Sequence, residues 1–211
     1  VAVVASERVA IQTVFNLETS DVKELPPGSC LTITRDGQVG VKPCLKPAAE
    51  PRQCVFERIY FSRGNDEDIH RERRALGREL VPQILDAVDH DYAHTVFSYI
   101  PNTALLAYHG MLDQLYAVGG GQRVRFAQIA VKDVKFRTFI SDAKARKDLF
   151  PHVYDVTYGV IEPGVDNLVV LDDSIVRGNT MRNAILPILD RLAPKRIVVA
   201  SSAPPIKYPD C

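Results

Sequence analysis

Two adjacent acidic residues and a short polar loop follow a run of apolar residues late in the chain. The apolar run of residues 168–171 leads directly to Asp172 and Asp173, and a loop with Ser, Gly and Thr follows at residues 174–180. Carboxylates at the end of a strand suit sugar hydroxyls with an Mg²⁺ nearby. Gly178 lets the backbone approach an anion, and the unpaired N–H groups of the helix predicted next suit a phosphate. The order of these residues predicts a sugar-phosphate site.

A simpler interpretation of the same residues is a solvated Asp-Asp-Ser turn that caps the following helix. Neighbouring residues on a regular strand point to opposite faces of the sheet. Asp172 and Asp173 can therefore serve one ligand only if the chain leaves the sheet where they stand.

The elements that must position this loop alternate between strands and helices. Strands are predicted at residues 95–100, 124–131, 168–171 and 197–200, and helices at residues 104–117 and 181–192. Pro187 lies inside the last helix and is expected to kink it. The alternation indicates an α/β fold with a doubly wound, mostly parallel sheet, in which ligands bind at the carboxyl ends of the strands.

The first part of the chain has a different character. Residues 1–45 are β-like, with a hairpin predicted around the turn at residues 35–38 and a strand already in progress at residues 1–5. A Pro-rich polar stretch at residues 46–52 predicts a domain junction. After it we expect a strand or extended segment at residues 54–61, then a helix capped by Asp66 that runs to about Asp89.

Composition and charge exclude several classes of protein. The chain has 211 residues, with 26 Lys and Arg against 26 Asp and Glu. A general nucleic-acid binder needs a surplus of cations, so this balance argues against one. No apolar run is long enough to span a membrane, and no signal peptide is visible. Four sparse cysteines suit a reducing cytoplasm, and the start at Val1 suggests a fragment.

The segment of residues 168–180 resembles the phosphoribosyl-pyrophosphate (PRPP) motif of type I phosphoribosyltransferases, and within that superfamily the amidophosphoribosyltransferase family. Four further stretches agree in order, at residues 4–7, 54–63, 137–140 and 202–209. The resemblance implies that residues 1–45 are the end of a glutaminase domain and residues 46–211 a phosphoribosyltransferase domain. The implied reaction uses ammonia from glutamine to displace pyrophosphate from PRPP, giving 5-phosphoribosylamine in purine synthesis.

The resemblance also implies roles for individual residues. Asp172 and Asp173 match the acids that hold the ribose hydroxyls and help bind Mg²⁺. Lys132 and Arg137 match cations of a loop that closes over PRPP and neutralises the leaving group. Thr103 falls on a position near Mg²⁺. The residues implied to bind PRPP are Asn102, Thr103, Ser174, Ile175, Val176, Arg177, Gly178, Asn179 and Thr180.

Departures from the family pattern fall on the same segments. Asn179 stands where many members have Thr, and Asn102 stands where an acid is usual. The closing loop at residues 131–136 lacks the Asn, Tyr and Gly that are common there. PRPP binding is therefore better supported than efficient loop closure.

The family also implies further groups and partners. Cys54 matches a ligand of the [4Fe–4S] cluster that some members hold, and Cys211 lies one residue from a second ligand position. Such a cluster needs four thiolates, and the pair of cysteines with which the family completes it would lie beyond Cys211, so we do not expect a complete cluster in this chain. Members form homo-oligomers and are inhibited by purine nucleotides. Two alternatives remain open, a non-catalytic PRPP or nucleotide sensor on the same fold and a salvage phosphoribosyltransferase that uses free bases.

Overall fold

The computed structural model describes residues 2–46, 54–132 and 154–205. The chain divides into two compact units, Val1–Ile69 and His70–Cys211. The junction expected at residues 46–52 falls within the first unit and mostly outside the described residues, so the assignment of residues 1–45 to a glutaminase domain stays a prediction. No helix within the described ranges is long and apolar enough to cross a bilayer.

The first unit contains a helix and a β-hairpin. Its elements are α1 (Arg8–Phe15), a 3₁₀ turn (Thr19–Asp21), β1 (Ser29–Ile33), β2 (Val39–Pro43) and a π-helical turn (Glu57–Phe61). The predicted hairpin is confirmed, because β1 and β2 pair antiparallel. The strand expected at the start is wrong where it is described, since residues 2–5 are irregular and α1 follows. Asn16 ends α1 in the left-handed conformation, which Asn tolerates better than most residues.

The strand expected at residues 54–61 is also wrong, because the structure is helical there. The Ser62 N–H donates to the Glu57 carbonyl at 2.7 Å, which closes a π-type turn. A strand would bury Ile59 and Phe61 on one face, whereas Ile59 is buried and Phe61 is 70% exposed. The helical turn buries the one side chain and leaves the other in solvent.

Asp66 caps the next helix as the sequence predicts. Its Oδ1 accepts hydrogen bonds from the N–H groups of Asp68 at 3.0 Å and Ile69 at 3.4 Å. The single helix expected to reach Asp89 is instead two helices, α2 (Glu67–Glu79) and α3 (Val81–Ala87). Pro82 lies in the first turn of α3, where its missing N–H costs nothing, but it could not continue α2.

The second unit is built on a parallel sheet, as predicted. Its further elements are β3 (Thr95–Tyr99), α4 (Leu105–Val118), β4 (Arg125–Phe126), β5 (Ala130–Lys132), β6 (Tyr154–Val156), β7 (Asn167–Asp172), a π-helical segment (Met181–Ile185), α5 (Leu186–Asp190) and β8 (Arg196–Ser201). The four strands run in the order β4-β3-β7-β8, all parallel. Pro187 lies in the first turn of α5, where the π-helical segment gives way to α-helix. The kink expected at Pro187 stays a prediction.

The strand expected at residues 124–131 is two strands in different sheets. The Ala127 N–H still bonds to the Phe97 carbonyl, at 3.1 Å. The Ile129 N–H then donates to the Ser98 hydroxyl at 3.0 Å, so a side chain replaces the backbone ladder. The chain leaves β3 at this point, and β5 pairs antiparallel with β6.

The sheet separates two apolar cores, which explains the unbroken apolar run at residues 168–171 of β7. Alternate residues of β3, β7 and β8 enter opposite cores. One core packs against α3 and α4, with Phe97, Val169 and Leu171 from the strands. The other packs against residues 181–192, with Leu168 and Val170 from β7. Burial on both faces holds the carboxyl ends of the strands at one rigid edge.

Candidate functional site

Two predicted loops leave the sheet side by side. β3 and β7 are neighbours, with Tyr99 paired to Leu171, and the Ile100 N–H donates to the Leu171 carbonyl at 2.9 Å. Pro101 follows Ile100, and Asp172 follows Leu171. The structure therefore brings the loop at residues 101–103 and the acidic pair to the same edge, as expected for carboxyl ends of parallel strands.

The acidic pair stands where the chain leaves the sheet. β7 ends at Asp172, and the Asp173 N–H donates to Asp172 Oδ1 at 2.9 Å. The Ser174 hydroxyl donates to Asp173 Oδ1 at 3.1 Å. Each carboxylate offers about four acceptor positions, so both can also receive hydroxyls of a ligand. The condition that both acids serve one ligand is met by the end of the strand.

The electrostatics of the pair are unusual for surface acids. Burial of Asp172, followed by the charge of the adjacent Asp173, raises the pKa of Asp172 to about 6. Both effects disfavour the ionised form. A cation bound beside the pair would favour the ionised form and lower this pKa.

The loop after the acids is open to solvent and leads into the helical segment. Ser174 and Gly178 are half-buried, whereas Ile175, Val176 and Asn179 are exposed, as are Arg177 and Thr180. Gly178 has a φ of +67°, a left-handed backbone conformation that residues with a side chain rarely adopt. The Gly178 carbonyl accepts a hydrogen bond from the Arg182 N–H at 2.8 Å. The loop therefore joins strand to helix with its backbone accessible, which suits an anion.

Of the residues predicted to contact pyrophosphate, the structure describes Asn102, Thr103 and Lys132 but not Arg137. Asn102 is exposed and Thr103 half-buried, in the turn that follows a cis Pro101–Asn102 peptide bond. Lys132 is exposed at the end of β5. The predicted role of Arg137, to neutralise the leaving group together with Lys132, stays a prediction.

Only one of the two cysteines that the resemblance singles out lies in the described residues. Cys54 is an exposed free thiol, and Cys211 lies outside the described residues. The iron–sulfur ligand pair stays a prediction.

The residues directly after β8 contact the acidic pair, and the sequence did not predict them as part of the site. The N–H groups of Ser202 and Ala203 donate to the carbonyls of Asp172 at 3.0 Å and Asp173 at 2.9 Å, so individual hydrogen bonds join the two segments beyond the end of the ladder. The Ser202 hydroxyl also donates to the Asp173 carbonyl, at 3.1 Å. The pattern that points to it is a pair of serines at the end of an apolar strand that neighbours the acidic strand.

The donors at this edge fit Mg²⁺ bound together with a substrate. In the described residues, no three His, Cys, Asp or Glu side chains form a metal-binding group. Mg²⁺ commonly takes one or two carboxylates and completes its shell with water and substrate phosphates. Asp172 and Asp173 supply carboxylates, and the Thr103 hydroxyl lies on the neighbouring loop. These groups match a metal that arrives with a polyphosphate ligand.

A doubly wound parallel sheet with acids at a central strand end and a Gly loop entering a helix defines the type I phosphoribosyltransferase fold. A solved structure described as the allosteric regulatory enzyme of purine biosynthesis shares this fold, with a TM-score of 0.65 and 26% identity over 94% of this chain and 40% of that one. No sequence model of a protein family matches the chain.

Curated relatives point to one group within the phosphoribosyltransferases. Amidophosphoribosyltransferase 2, chloroplastic, of Arabidopsis thaliana is 32% identical over 97% of this chain and 34% of its own length. Amidophosphoribosyltransferase of Pseudomonas aeruginosa is 29% identical over 98% of this chain and 40% of its own length. The chain is thus related to amidophosphoribosyltransferases and spans about a third to two fifths of the length of these two relatives.

Proposed function

We propose that this chain carries the phosphoribosyltransferase site of an amidophosphoribosyltransferase. The observation that carries the proposal is the acidic pair Asp172–Asp173 at the end of a central parallel strand, beside the loop of residues 101–103 and ahead of the loop of residues 174–178. In the proposed reaction ammonia forms a bond to C1 of the ribose. The bond from C1 to pyrophosphate breaks, its electron pair leaves with pyrophosphate, and the new ammonium group loses a proton.

The acidic pair would act on the sugar. Its carboxylates accept hydrogen bonds from the ribose hydroxyls, and their negative charge stabilises the positive charge that develops at C1 as pyrophosphate leaves. Because Asp172 is half-buried, this interaction is weakly screened by water. The pair thereby binds the sugar and favours the transition state over the ground state.

The remaining residues would hold the two ends of PRPP. The loop of residues 174–180 takes the 5′-phosphate with backbone N–H groups and hydroxyls, and Asn179 donates through its amide. Asn102 and Thr103 face the pyrophosphate, while Lys132 and Arg137 neutralise it. Mg²⁺, when bound, supplies further positive charge for the leaving group.

The proposed partners follow from the same assignment. Ammonia would come from glutamine through a glutaminase domain, to which we assign residues 1–45, and purine nucleotides would act as feedback inhibitors of a homo-oligomer. A cytoplasmic location is proposed because Cys30, Cys44 and Cys54 are exposed free thiols, which suit a reducing compartment. Size-exclusion chromatography with and without purine nucleotides tests the assembly.

Pyrophosphate release from PRPP tests the activity. The chain is incubated with PRPP and Mg²⁺, and ammonia is compared with free purine and pyrimidine bases. We expect release that depends on ammonia, and none from the variant that carries both Asp172→Asn and Asp173→Asn. Release with a base alone would identify a salvage enzyme, and PRPP binding without release under any condition would identify a sensor. Release by the double variant at the wild-type rate would refute the role of the acids.

A further inference from the structure

We propose that Ser202 is a positioning residue that sets the direction of the acidic pair and of the loop after it. The inference rests on the proposed function, since it concerns how the same site is held in shape. Ser202 is not among the residues expected to bind PRPP. It acts through the carbonyl of Asp173, to which its hydroxyl donates.

The Asp173 carbonyl is held by two donors from the neighbouring chain segment. The Ala203 N–H donates to it at 2.9 Å and the Ser202 hydroxyl at 3.1 Å. The Ser202 N–H meanwhile donates to the Asp172 carbonyl at 3.0 Å. Ser202 therefore contacts both acidic residues at their backbones, with a different donor for each.

Fixing one carbonyl fixes a whole peptide plane. In a trans peptide the C=O and the following N–H point in opposite directions. With the Asp173 carbonyl held toward Ser202 and Ala203, the Ser174 N–H points away from them, at the first residue of the proposed phosphate loop. The Ser174 hydroxyl donates in turn to the Asp173 carboxylate at 3.1 Å. The orientation of this peptide plane thus sets the direction of the Ser174 N–H and, through the Ser174 hydroxyl, that of the Asp173 carboxylate.

The surroundings of Ser202 make the hydroxyl bond effective. Ser202 is only 7% exposed, so water competes weakly for its hydroxyl. The regular ladder of β7 and β8 ends at the pair Asp172–Ser201. Beyond that pair, individual hydrogen bonds hold residues 202 and 203 against the acidic pair, and the bond from the Ser202 hydroxyl is one of them.

Ser201, the last residue of β8, offers a matched control directly before Ser202. Its hydroxyl donates to the Ala203 carbonyl at 3.3 Å and not to an acidic residue. Ser202→Ala and Ser201→Ala each remove one hydroxyl from adjacent positions. Ser202→Thr keeps the hydroxyl and tests rescue.

The experiment compares these variants in the whole chain. Isothermal calorimetry gives the dissociation constant for PRPP with Mg²⁺, and pyrophosphate release gives kcat and KM. We expect Ser202→Ala to weaken PRPP binding about five- to tenfold, because the variant loses one hydrogen bond that orients the Asp173 peptide. Ser201→Ala should stay within about twofold of wild type, and Ser202→Thr should bind more tightly than Ser202→Ala. Equal PRPP affinities for Ser202→Ala and Ser201→Ala, with both folded by circular dichroism, would overturn the proposal.

A second readout needs no PRPP. The carbonyl carbon-13 resonance of Asp173 reports hydrogen bonding to its oxygen, and it should shift in unliganded Ser202→Ala and not in Ser201→Ala. A wild-type chain that fails to bind PRPP would refute the proposed function, while this resonance would still reveal whether Ser202 holds the carbonyl. An unchanged resonance in Ser202→Ala would refute the contact itself and the positioning role with it.

Discussion

Arg125 holds the buried carboxylate of Asp166 with two hydrogen bonds, from Nη1 to Oδ1 at 2.5 Å and from Nη2 to Oδ2 at 2.7 Å. The Asp166 side chain is 0% exposed, whereas Arg125 keeps partial contact with solvent. Asp166 directly precedes β7, whose other end carries the acidic pair. Its carboxylate also accepts the Glu162 N–H at 2.8 Å. The ion pair therefore anchors the start of the strand that ends in the candidate site.

Removing the cation from this pair should destabilise the second unit strongly. Arg125→Ala leaves a buried carboxylate without its partner, which typically costs about 3–5 kcal/mol. We expect that loss in the free energy of unfolding measured by urea titration at pH 7. Arg123→Ala, at an exposed arginine two residues away, should change it by less than about 0.5 kcal/mol.

A second variant tests the reason for that loss. Adding Asp166→Asn to Arg125→Ala should restore part of the stability, because a neutral amide leaves no unpaired charge. The Asn oxygen can still accept the Glu162 N–H. If the double variant were less stable than Arg125→Ala alone, the buried charge would not be the cause.

The same pair predicts how stability depends on acid. Burial alone would raise the pKa of Asp166, but the hydrogen bonds from Arg125 hold that pKa below its ordinary value. A depressed pKa in the folded state contributes stability that is present above the unfolded pKa of about 3.9 and is lost as the pH falls through the folded value. Between about pH 4 and pH 2, wild type should therefore lose more unfolding free energy than Asp166→Asn. Parallel pH profiles for the two proteins would contradict this.

Much of the second unit follows from local patterns in the sequence. Burial of β7 on both faces favours an unbroken apolar run, so residues 168–171 predict a strand without an alternating pattern. The strand at residues 95–99 is equally buried but includes the polar residues Thr95 and Ser98. The position of the acids at a strand end follows from the same reasoning, because ionised side chains end such a run. The edge of the sheet that carries the site could therefore be predicted.

Two features that escaped prediction depend on single long-range bonds. The end of β4 is set by the Ser98 hydroxyl, which takes the Ile129 N–H from 31 residues away. The Ser202 hydroxyl reaches Asp173 across 29 residues. Periodicity carries no information about such partners. The division between α2 and α3, in contrast, has a local sign in Pro82 that amphipathic spacing alone overlooks.

Asp172 should show opposite effects on stability and on binding. A raised folded pKa means that stability is fully present below about pH 3.9 and is lost as the pH rises through about 6, since the buried carboxyl must then ionise. Without added Mg²⁺, Asp172→Asn should therefore be about 1–3 kcal/mol more stable than wild type at pH 8 and similar near pH 3.5. The same variant should lose PRPP binding. Urea unfolding at both pH values and calorimetry with PRPP check the two halves, and a variant that is less stable at pH 8 would contradict the assigned cause.

Two glycines set how closely α2 and α4 pack in the second unit. A Cβ at Gly77 would lie 1.7 Å from the Ala107 carbonyl oxygen, and a Cβ at Gly110 would lie 1.8 Å from the Arg74 carbonyl oxygen. Both obstacles are backbone, so Gly77→Ala must separate the helices despite the better helix propensity of Ala. We expect a loss of about 3 kcal/mol or more in unfolding free energy, at or above the upper range for overpacked cores.

The control for this crossing is His109→Ala, at an exposed position beside Gly110 on α4. It makes a similar gain in helix propensity and removes only an exposed side chain, so its unfolding free energy should be equal to or slightly above that of wild type. The crossing also carries the ion pair of Arg74 with Asp113 at 2.5 Å, which the separated helices would lengthen. Asp113→Asn should therefore cost less stability in the Gly77→Ala background than in wild type. Equal costs in the two backgrounds would mean that the helices had not moved apart.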